Sequence, residues 1–194
     1  MSIIYLVRHG AYENPDDIQA GRLPLSLSPE GIRQAEKLHD YFKNKEVEMV
    51  YSSPVLRCKQ TAESIAGKKI RVIFDLRLAE TFSAYQGWKT HDPKLLFGHR
   101  KELGGESFED LKSRMMSFFN EVTAKSIKNN IICSHGDPLW CLYLGLLGRP
   151  LTNEITEPGE NGNPEYLKKG AIRPIEFKNG KYTALDMVLQ EELS

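Results

Sequence analysis

Two arginines and two histidines stand at positions that alternating strands and helices would bring together: Arg8 and His9, Arg57, and His135. Arg8-His9-Gly10 follows the apolar run Ile3-Ile4-Tyr5-Leu6-Val7, the pattern of a buried strand breaking into a loop. Arg57 falls in the first turn after a second such strand, and His135-Gly136 ends a fourth. Ligands of open α/β sheets bind just beyond the carboxyl ends of the strands, so all four side chains are expected at one sheet edge. Arginine's planar fork suits bidentate phosphate recognition, and helix starts add backbone N–H donors. Imidazole exchanges a proton near neutral pH. The expected guest of this pocket is a phosphoryl group.

The elements that must hold these residues can be read along the chain. Ser28-Pro29-Glu30 is a helix start, with a capping serine, an early proline and an early acid. Ile32, Ala35, Leu38 and Phe42 follow at helical spacing as one apolar face. Glu48 to Ser53 reads as the second strand. Pro54 opens a helix that turns Val55, Cys58, Ala62 and Ile65 inward and stops at Gly67. Ile70 to Phe74 reads as the third strand. Ser107 caps a long helix carrying Leu111, Met115, Phe118, Phe119 and Val122, with Asp110 in the capping-box position. Asn130 to Ser134 is the fourth strand, followed by a helix from Pro138 to about Leu147. Ile172 to Phe177 and Lys181 to Leu189 flank Asn179-Gly180 as a hairpin.

The expected fold is therefore α/β, three layers with a mostly parallel central sheet and a C-terminal β-hairpin at one edge. No linker or internal repeat divides residues 1–194, which read as one domain. Residues 76–106 lack periodicity and are expected as a short irregular lid insertion, and residues 151–170 as an irregular loop.

Composition narrows the function class. Lys plus Arg number 26 and Asp plus Glu 26, so no global field favours nucleic acid or a membrane surface. Anion binding must come from local clustering. Cys58, Cys133 and Cys141 show no paired metal spacing, and an odd set of buried-looking thiols fits a reducing compartment. No apolar run reaches spanning length, and the expectation is a cytoplasmic protein with no membrane or nucleic-acid partner.

Arg8-His9-Gly10, then Gly21 to Leu27 and Ser28-Pro29-Glu30-Gly31, resemble the N-terminal signature of the histidine phosphatase superfamily, which includes the cofactor-dependent phosphoglycerate mutases. Tyr51-Ser52-Ser53-Pro54 with Arg57, Thr61 and Ala62 resembles its second motif. Gly104-Gly105-Glu106-Ser107 and Ser134-His135-Gly136 resemble the later ones. The resemblance implies a double displacement at phosphorus: His9 takes the phosphoryl group, Arg8, Arg57 and His135 hold its oxygens, and water releases phosphate. It places a general acid after the third strand, where Leu78-Ala79-Glu80 matches, so Glu80 is the expected proton donor, with Glu13 and Asp17 as alternatives. A carboxyl beside a phosphate dianion has its pKa raised, and nearby cations keep an imidazole neutral. The chemistry calls for no metal and no cofactor.

Ala11 departs from the polar residue common after the glycine, and Ala84 to Trp88 departs from the family's usual spacing. The expected activity is hydrolysis of small phosphomonoesters, with a phosphoprotein as another candidate substrate. Two alternatives stand: mutase-type phosphoryl transfer, for which residues 82–106 supply only Arg100-Lys101, and a pseudophosphatase that binds phospholigands. His39 is expected at the margin of its helix, and His91 and His99 fall in the insertion. Oligomeric state has no marker in the sequence.

Overall fold

The structure, a computed structural model, describes residues 2–90, 104–124, 128–151 and 163–193. Six strands form one sheet in the order β3-β2-β4-β1-β5-β6: β1 (Ser2–Arg8), β2 (Met49–Ser52), β3 (Arg71–Phe74), β4 (Asn130–Ser134), β5 (Ile172–Lys178) and β6 (Lys181–Ala184). The first four run parallel, with Arg8 level with Ser134 and Ser52 level with Cys133. β5 and β6 are antiparallel additions on the β1 side. The α/β fold with a C-terminal hairpin is as expected.

Side chains alternate across the sheet, and this period builds two cores. Ile4, Leu6 and Ile132 pack beneath α3 (Phe108–Thr123) and α4 (Gly136–Leu146), against Leu111, Met115, Phe118 and Leu142. Tyr5, Val7, Ile131 and Cys133 point the other way, onto Leu38 and Phe42 of α1 (Pro29–Phe42) and Cys58, Ala62 and Ile65 of α2 (Leu56–Ala66).

Local rules explain the helix ends. Ser28 accepts from the Gly31 N–H with Pro29 in the first turn, and Ser107 and Asp110 form a reciprocal capping box. Ile32 is a correction: it is half-exposed, and the buried face of α1 is Gly31, Ala35, Leu38 and Phe42. Gly31 takes the inward place because a Cβ there would lie 1.8 Å from Ala11 O, and one on Gly10 would lie 2.7 Å from Gly31 O. The loop after β1 and the first turn of α1 thus meet backbone to backbone, which only glycine permits.

Boundaries shift by small amounts. α4 starts at Gly136 with His135 as its N-cap, two residues before the expected Pro138, because proline is tolerated throughout a first turn whose N–H groups have no intrahelical partner. α2 starts at Leu56 rather than Pro54, after Ser53 Oγ accepts from the Val55 N–H. The Asn179-Gly180 turn has both residues at positive φ, 52° and 76°, as a tight hairpin requires. β6 is shorter than Lys181 to Leu189: after Leu185 N–H donates to Pro174 O (3.0 Å), residues 186–187 leave the ladder before Val188 exchanges both backbone bonds with Ile172.

The described part of the expected insertion packs towards the loop after β1. Asp75 caps a short 3₁₀ turn over Leu76–Leu78. The 87–90 stretch then pairs with the loop after β1, through Gln19 N–H to Trp88 O (2.7 Å), Gly87 N–H to Gln19 O (2.9 Å) and Thr90 N–H to Asp17 O (2.9 Å). His91, His99, Arg100 and Lys101 lie outside the described residues, as does 152–162 of the second irregular segment. None of the described helices is long and apolar enough to cross a membrane.

Candidate active site

The parallel strands end together, and their last backbone groups bind the residues that follow: His9 N–H donates to Ser134 O (3.1 Å) and Ser53 N–H to Cys133 O (3.0 Å). This brings Arg8, His9 and His135 to one edge, and the first turn of α2 delivers Arg57 between the two imidazoles. All four are buried. The ring centroids of His9 and His135 are 5.0 Å apart.

Arg57 organises the centre. Its Nε donates to His9 Nε2 (3.1 Å) and its Nη2 to His135 Nδ1 (3.0 Å) and to Gly21 O (2.7 Å). Those bonds set both tautomers. His9 carries its proton on Nδ1, which donates to Gly10 O (2.7 Å), leaving Nε2 as an acceptor. His135 carries its proton on Nε2, which donates to Ser53 Oγ (2.9 Å), with the buried Cys58 thiol 3.3 Å away. Burial first, and then the Arg57 guanidinium, hold both histidines well below the ordinary imidazole pKa. His9 therefore presents a neutral nitrogen lone pair in a cationic pocket.

Arg8 donates from Nη1 to Leu167 O (3.0 Å) and lies over the Tyr166 ring at 5.5 Å. Tyr12 sits between two cations, with Arg57 5.0 Å and Lys169 5.2 Å from its ring centre, and packs edge-on against His9. Arg22 lies over Phe82 at 5.3 Å. A neutral chain has in this way concentrated positive charge at one strand edge.

Glu80 reaches the same centre from the segment after β3. Its Oε1 accepts from the Thr81 N–H (2.9 Å), and its Oε2 lies 3.5 Å from His135 Nδ1 and 3.7 Å from Arg57 Nη2. Desolvation, then the neighbouring Asp137 carboxylate, raise its pKa above the usual range, outweighing Arg57. Glu13 and Asp17 are exposed on the loop after β1, where Glu13 N–H donates to Ser26 O (2.9 Å) and Asp17 takes a positive φ of 48°. At position 11 only the backbone engages: Ala11 N–H donates to Gln34 Oε1 (2.8 Å). His39 is remote, donating from Nδ1 to Ser64 O (3.0 Å) at the end of α2.

Several residues near the centre were not singled out by the sequence. Asp137 and Tyr166 meet at 2.8 Å beside Thr81, and Arg114 spans Glu80 O (3.3 Å) and Glu106 Oε1 (2.5 Å). Asp137 directly follows His135-Gly136, which was the available signal. Arg114 and Tyr166 arrive from α3 and from a loop, through packing that no local pattern encodes. Gly136 marks one such approach, since a Cβ there would lie 2.0 Å from Tyr166 Oη. Glu106, in the Gly-Gly-Glu-Ser segment, acts through Arg114.

Residues 4–163 match the profile of the histidine phosphatase superfamily (branch 1). A relative from Hydrogenobacter thermophilus, provisionally named phosphoserine phosphatase 2, is 32% identical over 197 residues, covering 87% of this chain and 96% of its own. Phosphoserine phosphatase 1 of the same organism is 29% identical, covering 77% and 78%. The crystal structure of phosphoserine phosphatase from Entamoeba histolytica in complex with 3-phosphoglyceric acid superimposes with a TM-score of 0.81 over the whole of both chains at 22% identity, a likeness of fold.

Proposed function

The chain belongs to branch 1 of the histidine phosphatase superfamily, and on that footing we propose that it hydrolyses small phosphomonoesters through a phosphohistidine on His9. One observation carries the reading: His9 Nε2 is a desolvated acceptor, its tautomer set by Gly10 O, at the centre of the cationic cluster.

The phosphoryl dianion takes over the donors that Arg57 now spends on the two imidazoles; its charge favours a proton on His135 Nδ1, so that His135 and Arg8 complete the grip on its oxygens. Nε2 of His9 attacks phosphorus in line, the bond to the leaving oxygen breaks, and Glu80 gives that oxygen a proton. Water then attacks the phosphohistidine, Glu80 takes its proton, the N–P bond breaks, and His9 returns neutral with release of phosphate. Glu80 Oε2 faces His135 and Arg57, which favours turnover over a pocket that only binds. The names of the phosphoserine phosphatases among its relatives make phosphoserine and similar phosphorylated hydroxy acids the first substrates to test. Arg22 and Lys169 at the mouth suit a leaving group with a carboxylate.

The test is hydrolysis of p-nitrophenyl phosphate and phosphoserine in excess chelator, by wild type and His9→Ala. Chelator-resistant turnover lost in the variant is expected; equal turnover in both overturns the assignment. Exchange of phosphoglycerate isomers faster than hydrolysis would instead make the protein a mutase.

A further inference from the structure

The cluster behind Glu80 has no part in the mechanism so far. Asp137, in the first turn of α4, has both carboxylate oxygens near donors: Tyr166 Oη donates to Oδ1 at 2.8 Å, and Thr81 Oγ1 lies 3.4 Å from Oδ2. The same Thr81 hydroxyl lies 3.4 Å from Glu80 Oε1. Two carboxyl groups thus face one hydroxyl that has one proton to give. The Tyr166 hydroxyl and the N-terminal end of α4 both face Asp137 and not Glu80. Thr81 then donates to Asp137, and Glu80 is left with a backbone N–H on Oε1 and no hydroxyl donor.

We propose that Asp137, bridged by Thr81 and anchored by Tyr166, is a positioning residue that keeps the shared proton on Glu80 Oε2, facing the leaving group. This rests on the reading of Glu80 as the general acid. It adds that the acid is one half of a carboxylate pair whose other half never touches substrate. The charges around Glu80 act in opposition. Arg57 on α2, Arg8 at the end of β1, Arg114 on α3, which reaches Glu80 O, and Arg22, which donates to the same carbonyl at 2.8 Å, all favour its ionised form. Glu106 sits behind Arg22 and Arg114 and weakens their pull. His135 is neutral. Asp137 is the one carboxylate bridged to Glu80 among the described residues, and it counters the arginines. Burial of the Tyr166 hydroxyl against Asp137 pushes that phenol well above its usual range, so it stays a donor across the working pH.

The test compares pH profiles of kcat/KM on β-glycerophosphate, whose alkoxide leaving group needs a proton, for wild type, Asp137→Asn, Glu80→Gln and the double variant. Asn keeps the Tyr166 bond and removes the charge, and its amide occupies the Thr81 hydroxyl so that the hydroxyl donates to Glu80. The basic limb should move to lower pH by about one unit, with activity kept on its acid side. In the Glu80→Gln background, Asp137→Asn should change nothing further. An unmoved limb, or an equal loss in both backgrounds, overturns the proposal. If Glu80→Gln itself leaves β-glycerophosphate turnover unchanged, the general-acid reading has failed and this inference falls with it. Should Asp137→Asn not fold, Tyr166→Phe removes the anchor with both carboxylates in place. Without its anchor Asp137 should draw the shared proton from Glu80, so the plateau of kcat/KM falls in the wild-type background and not in the Glu80→Gln background, and an unchanged plateau, or an equal loss in both backgrounds, overturns the proposal.

Discussion

Taking the protein from pH 7.5 to 5.5 will cost it stability at the site itself, by an amount that follows from two side chains. In the unfolded chain His9 and His135 each take up a proton around pH 6.5. In the folded protein burial, and then Arg57, hold both pKa values well below that. Over the interval between the two states' pKa values the unfolded chain binds more protons, so unfolding free energy rises with pH. The stabilisation is complete above the unfolded pKa and is lost as pH falls toward the folded one. If an imidazole stays neutral in the fold across this range, its contribution falls by up to about 1.4 kcal/mol, and the pair's by up to about 2.7 kcal/mol. Glu80 acts in the opposite sense. Its raised pKa gives stabilisation that is present at low pH and lost as pH rises through the folded value, so it offsets part of the loss. Comparison of variants separates the terms. Urea unfolding at the two pH values should show the wild-type difference shrinking by up to about 1.4 kcal/mol in His9→Asn and again in His135→Asn. Identical pH differences in all three proteins would refute the claim that these histidines are held neutral.

Three further outcomes follow from the same geometry. Arg57→Lys should lower kcat/KM by about 10²- to 10³-fold in steady-state assays, because one ammonium cannot reach His9 Nε2, His135 Nδ1 and Gly21 O together. Glu80→Gln should lower kcat/KM, which reports formation of the phosphoenzyme, by about 10²-fold or more on phosphoserine and far less on p-nitrophenyl phosphate, whose leaving group departs without a proton; equal losses of kcat/KM on both would count against general-acid catalysis. Gly31→Ala should cost about 2 kcal/mol or more in urea unfolding and raise KM, since its Cβ would meet Ala11 O at 1.8 Å and push away the loop that carries Gly10.

What could be read from the chain, and what could not, divides along a physical line. His9 and His135 were legible because each ends a strand whose apolar run is continuous, and strand ends in such sheets lie together. Arg57 followed from its place in the first turn after β2. Glu80 follows an exposed, short edge strand and had no pattern of its own; only its match to the family motif marked it. Thr81, Asp137 and Tyr166 meet through the packing of α4 against a distant loop, a contact that spacing along the chain does not encode. Ile32 shows the limit of periodicity from the other side: its helical spacing was right, yet the close approach at Gly31 turned α1 so that Ile32 faces solvent.

The central claim is the covalent intermediate. Its most direct measurement is a rapid alkaline quench during turnover of phosphoserine or p-nitrophenyl phosphate, followed by mass spectrometry of the N-terminal peptides, since N–P bonds survive base and break in acid. The account predicts one phosphoryl group on the peptide containing His9, formed within a single turnover and absent from His9→Ala. Turnover with no phosphoenzyme at any quench time, or a phosphoryl group on another residue, would contradict it.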